Sequence, residues 1–264
     1  MFQIIKNGTA CHFNEKGINY KTLERFAGEV EKMKKDQCID TLIVASGSIK
    51  LGMLEEGETR TKEELDNFEK QGYASVGQPI LVNLYKKIFN KNIAQILPTR
   101  ADLKKSDYVK KLIHQNREKD RISVVNYDDC LDFEQINKDN DTLASSLAVY
   151  SGADRLILLG HYEGLVDNKN NLVTYIEKIT DKHKSYCNGK SDSGNGGFET
   201  KLLAAKEVTQ KGIPMYIGNI NKPLEEVVTG PMHTYFAPEM SKVRDHHRSQ
   251  TDGLLALRAR VAPF

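Results

Sequence analysis

The chain has 264 residues, 28% of them charged, and its 38 lysines and arginines against 36 acids give a formal net charge of +2. That length can bury a large apolar core and suits one doubly wound domain, while the near balance of charge, with no basic stripe among aromatics, excludes nucleic acid as a partner. No apolar run approaches the roughly 20 residues of a spanning helix, and Met1 to Ala10 is not followed by a small-residue cleavage site, so a cytoplasmic protein without a membrane partner is expected.

In chain order, short apolar runs fall at Phe2 to Ile5, Thr41 to Ala45, Ile93 to Leu97, Ile122 to Val125, Leu156 to Leu159 and Met215 to Ile217, each followed by a helical pattern. Strands alternating with helices predict a parallel sheet covered on both faces. After the first run, Leu23, Phe26, Val30 and Met33 form one apolar helix stripe opposite lysine and glutamate, and this stripe reads as core. Met53 to Asn67 is polar and Glu-rich and reads as a mobile segment beside the site; Lys169 to Asn171 and His183 to Ser193 read as loops. Tyr73, Leu81 and Tyr85, in a helix from Leu65 to Phe89, offer either an interface or core.

Cys11, Cys38, Cys130 and Cys187 stand singly, without zinc or disulfide spacing, and read as reduced structural thiols. Cys11 and His12 are adjacent, but neighbours on a strand point to opposite faces, which argues against a nucleophile or ligand pair. From about Ser241 the composition shifts: Arg244, Arg248, Arg258 and Arg260 are four of the ten arginines. The expected organisation is one domain over 1–240 and a tail over 241–264 that is foreign to the fold.

Four clusters carry chemistry. Ser193-Gly194-Asn195-Gly196-Gly197, with Thr200 and Lys201 opening a helical pattern, would bring backbone N–H groups, a helix N-terminus and one full positive charge to a phosphate; a flexible loop with a surface lysine fits the same letters. It is not a Walker A loop, since no glycine directly precedes Lys201. Lys6-Asn7-Gly8-Thr9 ends the first strand, where open α/β sheets gather ligands, although a surface turn would look alike. Ala45-Ser46-Gly47-Ser48 is a small-residue turn suited to a small polar ligand. Asp139-Asn140-Asp141 precedes a helix; one such residue suffices for a cap, and three can also bind an ammonium group and orient lysines.

These pieces lie in the order and at roughly the spacings of the glutamate 5-kinases, within the amino-acid kinase family. With Lys70-Gln71, Val76-Gly77-Gln78, Leu97 to Asp102, Val125 to Asp129, Ala153 to Leu159 and Gly164-Leu165, the chain resembles that family over about Phe2 to Phe236. The resemblance implies an α/β fold, an open and mostly parallel sheet sandwiched between helices, with ATP and acceptor meeting over its carboxyl ends. It implies transfer of the γ-phosphate of ATP, with Mg2+ and no metal held directly by the protein, onto the side-chain carboxylate of glutamate, the step that opens proline synthesis. It suggests a homo-oligomer, dimer or tetramer. Many such kinases carry a further C-terminal PUA domain, and none is expected here.

By the same resemblance, Lys6 and Lys201 hold the transferring phosphoryl group and Asp141 positions them. Ser46, Gly47, Ser48, Asp129, Asp139 and Asn140 fall at acceptor positions. Gly8, Thr9, Gly160, His161, Asn195, Gly196, Gly197, Phe198, Thr200 and Lys201 fall at nucleotide positions.

The chain departs from the family pattern at several of these. Gly160-His161 stands where Thr-Asp is usual, which brings in an imidazole able to titrate near neutral pH. Asn195 replaces Thr, Phe198 replaces Met, and Tyr127-Asp128 stands where Glu-Asn is expected; Lys138 replaces a Gly, and His233-Thr234-Tyr235-Phe236 lacks the usual Gly. Tyr127, Asp128 and Lys138 keep open a kinase for another small carboxylate or phosphate acceptor. Gly160-His161 keeps open a regulatory relative that binds ligand without catalysis.

Overall fold

In the strand β1 (Phe2–Asn7), buried along its whole length, successive residues serve opposite faces. Ile4 faces one core with Leu42, Val44, Leu156 and Leu158, and Ile5 faces the other with Ile43, Ala45, Ile157 and Leu159. Two apolar faces on one strand are what a central parallel strand requires. The computed structural model, which describes residues 1–15, 17–99, 102–103, 106–131, 140–187 and 197–239, places β1 in the middle of an eight-stranded sheet.

From one edge the order is β5 (Ile93–Ile96), β6 (Ile122–Val125), β4 (Asp40–Ala45), β1, β7 (Arg155–Gly160), β9 (Met215–Asn219), β10 (Thr234–Phe236) and β8 (Tyr175–Ile176). Every pairing is parallel except β9 with β10. A two-stranded ribbon, β2 (Phe13–Asn14) with β3 (Gly17–Ile18), stands apart. The six expected strands are all present. The four additional ones span two or three residues, too short for an alternation to show in sequence.

Helices cover both faces. The Ile5 side lies under α1 (Tyr20–Gln37), α3 (Asn67–Phe89) and α8 (Leu224–Thr229), through Phe26, Val30, Met33, Leu81, Tyr85, Phe89, Leu224 and Val227. The Ile4 side lies under α4 (Ser106–Glu118), α5 (Asn140–Ser151) and α7 (Phe198–Thr209). The short α6 (Asp181–Ser185) overlaps the start of the loop expected over His183 to Ser193, of which 188–193 lie outside the described residues. The predicted α1 stripe is core as read, and Leu81 and Tyr85 of α3 are fully buried, core rather than interface.

The helix α2 (Ser48–Glu55) lies against α3 at a distance only glycine permits. A Cβ on Gly77 would fall 1.8 Å from the Ser48 carbonyl oxygen, and one on Gly52 would fall 1.9 Å from that of Tyr73. This contact sets the first turn of α2 at the carboxyl end of β4.

Two expectations are corrected. Met53 to Asn67 is a tethered segment: after α2 ends, Arg60 bridges Glu58 (2.7 Å) and Glu69 (2.8 Å), Tyr73 donates to Glu58 (2.6 Å), and Asp66 caps α3. Its polar letters form local ion pairs and caps, which composition alone cannot distinguish from a mobile loop. Cys11 and His12 lie in a 3-10 turn (Thr9–His12), not a strand, and both are fully buried. Burial pushes the Cys11 thiol up to about 12, against the pull of Lys6, so it is no nucleophile. The tail 241–264, with Lys138, Asp139, Asn195 and Gly196, lies outside the described residues.

Candidate active site

The carboxyl ends of β1, β4 and β7 face the N-termini of α2, α5 and α7, and the candidate residues converge there. Asp141, in the first turn of α5, is fully buried. Its Oδ1 is 2.7 Å from Nζ of Lys6, near the end of β1, and its Oδ2 is 3.0 Å from Nζ of Lys201, in the first turn of α7. Both lysines are 5% exposed. The Thr200 hydroxyl lies 3.2 Å from Asp141 Oδ2 and 2.9 Å from the Gly197 carbonyl oxygen, with one proton to give to either.

Burial alone would raise the Asp141 carboxyl, but the ammoniums of Lys6 and Lys201 and their hydrogen bonds outweigh it and hold the group well below the usual carboxylate range. The two ammoniums and the one carboxylate of these three side chains sum to +1. Such a set suits an anionic group, and the N-terminus of the 12-residue α7 adds partial positive charge. A buried ion cluster is a weak stabiliser once desolvation is counted, so a functional reason for keeping it is the stronger one.

Beside this triad lies a second, neutral-to-acidic cluster. Asn140, adjacent to Asp141 on α5, places Nδ2 2.8 Å from each of the Ala45 carbonyl oxygen, Ser46 Oγ and Asn126 Oδ1. Asn126 in turn donates from Nδ2 to Gln78 Oε1 (2.9 Å) and Asp129 Oδ2 (3.1 Å), and Ser48 donates to the same Asp129 oxygen (2.8 Å). Burial raises the Asp129 carboxyl, and the hydrogen bonds from Ser48 and Asn126 pull it partly back. Gly47, with φ of 108°, turns the chain from β4 into α2 and presents both serines.

On the other side, Gly8 follows β1, its N–H donating to the Leu159 carbonyl oxygen (3.3 Å), and Thr9 opens the 3-10 turn. A Cβ on Gly8 would sit 3.7 Å from Lys6 Nζ. Gly197 precedes α7 and Phe198 begins it, while Gly160 ends β7 with His161 exposed beside it.

The structure therefore brings together Lys6, Lys201, Asp141, Thr200, Ser46, Gly47, Ser48, Asp129 and Asn140. Gly8, Thr9, Gly160, His161, Gly197 and Phe198 lie at the same ends of the sheet. Tyr127 is 4% exposed and packs in the Ile4-side core, and Asp128 accepts from the Cys130 and Leu131 backbone N–H groups. Gln78 was legible only as part of a motif: it is 5% exposed, its Oε1 is taken by Asn126, and its Nε2 is buried with no partner among the described residues.

A family model described as the amino acid kinase family matches residues 1–219. The chain belongs to that family. Among curated relatives it is 33% identical over 246 residues to a glutamate 5-kinase of Clostridium tetani, covering 86% of this chain and 90% of the relative. It is 34% identical over 235 residues to a glutamate 5-kinase of Clostridium acetobutylicum, covering 83% and 86%. Among solved structures it resembles a Giardia carbamate kinase (TM-score 0.65, 13% identity, 90% and 99% covered) and a UMP kinase from Ureaplasma parvum (TM-score 0.57, 15% identity, 89% and 99% covered); at such identities these show the fold.

Proposed function

We propose that the protein transfers the γ-phosphoryl group of ATP to the side-chain carboxylate of glutamate, giving γ-glutamyl phosphate and ADP, the opening step of proline synthesis. The observation that carries this reading is the buried Lys6–Asp141–Lys201 triad, one residue along α5 from the Asn140–Ser46–Asn126 cluster. The glutamate 5-kinases among its relatives support the choice of acceptor.

An ionised carboxylate is already a nucleophile, so no general base is needed and the task reduces to alignment and charge stabilisation. One carboxylate oxygen bonds to the γ-phosphorus as the bond from phosphorus to the β,γ-bridging oxygen breaks, and the electron pair leaves with ADP. Lys6 and Lys201 are placed to neutralise the non-bridging oxygens, and Asp141 holds the two ammoniums close together without titrating near neutrality. Asp129 and the amide and hydroxyl groups around it are suited to an acceptor carrying both an ammonium and carboxylates. Both oxygens of Asp141 are engaged by lysines, so Mg2+ would be held through phosphate oxygens and water.

The dimer or tetramer implied by the resemblance and the foreign character of the tail belong to this reading, and light scattering on the full and shortened chains tests both. No helix among the described residues is long and apolar enough to cross a membrane, and a cytoplasmic location is part of the proposal. The direct test is an acceptor panel with hydroxylamine present, which traps acyl phosphates as hydroxamates. Glutamate-dependent hydroxamate supports the reading, and hydroxamate from a different acceptor alone overturns the choice of glutamate.

A further inference from the structure

The Tyr162 ring lies across the backbone at the end of β7. A Cβ on Gly160 would fall 2.2 Å from Tyr162 Cε1 and 2.3 Å from Cζ, so a side chain at 160 would have to push the ring from where it lies. The ring and the missing side chain at 160 are thus one feature. From there the ring packs edge-on against Phe198, at 5.2 Å between centroids and 62° between planes. Phe198 opens α7, three residues before Lys201. The Lys201 ammonium lies 5.4 Å from the Tyr162 centroid and 5.8 Å from that of Phe198, within the ~6 Å over which a ring attracts a cation.

Lys201 is therefore held by Asp141 and approached by two rings. Rings attract the cation through their quadrupole, take up none of its strong acceptor contacts, and keep water from part of its surface. The two aromatics suit an ammonium that must stay in place beside the transferring phosphate. Gly160 and Phe198 are two of the chain's departures from the family pattern, and the ring contact joins them into one local rearrangement.

We propose that Tyr162 and Phe198 form an aromatic clamp that positions the Lys201 ammonium for the transferring phosphate, with Gly160 as the residue that makes room for it. The clamp rests on the phosphate role given to Lys201 in the proposed kinase. It is a positioning device, acting on nucleotide affinity and turnover through Lys201.

The test compares Tyr162→Phe, Tyr162→Leu, Gly160→Ala and the Gly160→Ala/Tyr162→Leu double variant. A non-hydrolysable ATP analogue is titrated by calorimetry, turnover is measured with glutamate, and melting temperatures report folding. The clamp predicts that Tyr162→Phe matches the parent. Tyr162→Leu loses about tenfold in analogue affinity and in kcat, with KM for glutamate within twofold and an unchanged melt. Gly160→Ala falls comparably, and the double variant falls no further than Tyr162→Leu alone, because the added methyl has no ring left to displace.

Three results overturn the proposal: Tyr162→Leu indistinguishable from the parent, Tyr162→Phe as impaired as Tyr162→Leu, or a parent that binds no nucleotide. A parent that binds the analogue but does not turn over glutamate defeats the acceptor assignment, and the affinity series alone then decides the clamp.

Discussion

Replacing members of the buried triad separates stability from activity in a direction fixed by charge. Lys201→Met removes one ammonium and leaves Asp141 paired with Lys6 at 2.7 Å, taking the cluster from +1 to neutral. Asp141→Asn leaves two ammoniums, with side chains 7% and 6% exposed, against a neutral amide, taking it to +2. Removing one partner of a buried pair costs about 3–5 kcal/mol, a large share of the ~5–15 kcal/mol that holds a domain folded. For Lys201→Met the surviving pair remains satisfied and a like-charge repulsion disappears, so its stability stays within about 1 kcal/mol of the parent. Both variants lose turnover by ~10²–10³, as expected when a preorganised charge is removed. Urea unfolding at neutral pH reads the first effect and ADP release the second. A Lys201→Met protein as destabilised as Asp141→Asn would refute the charge accounting.

Further outcomes follow from other parts of the fold. His12 is fully buried, with Nδ1 3.2 Å from the Gly8 carbonyl oxygen and Nε2 2.8 Å from the Tyr85 hydroxyl, so Nδ1 carries the proton and Nε2 accepts. Burial lowers it from 6.5 to about 4. A depressed histidine stabilises the fold fully above 6.5 and loses that contribution as pH falls through about 4. At ~1.4 kcal/mol per pH unit, His12 accounts for at most about 3.5 kcal/mol of acid sensitivity, and urea midpoints of the parent should fall more steeply across this window than those of His12→Gln. Gly77→Ala forces α3 from the Ser48 carbonyl; it should destabilise by ~1–3 kcal/mol and raise KM for glutamate, and an unchanged KM would disconnect the α2–α3 contact from the site. Asp129→Asn should raise KM for glutamate tenfold or more with KM for ATP little changed, measured by varying each substrate in turn.

Much of this was legible from letters. Strands β1, β4, β6, β7 and β9 announce themselves as apolar runs because both their faces are buried, and each delivers a candidate residue or supports one that does. Lys6, Asp141 and Lys201 are 135 and 60 positions apart at successive steps, and only the resemblance, not periodicity, joined them in advance. Other features arise between elements and have no local signature. The contact of the Tyr162 ring with Gly160 and with Phe198 joins residues far apart in sequence and leaves no local mark. Tyr127 is buried, which a single letter after a strand does not announce. Gln78 is exposed as a site residue only by its unmatched Nε2. The polar Met53 to Asn67 stretch was misread because ion pairs across a few residues have the same composition as solvated chain.

The central claim is that Lys201 and its triad transfer phosphate to glutamate. The most direct measurement is ADP release from magnesium-ATP by the parent and by folded Lys201→Met, each with and without glutamate. The account predicts release that requires glutamate in the parent and falls by ~10²–10³ in the variant. Release independent of glutamate, or a Lys201→Met protein as active as the parent, would contradict it.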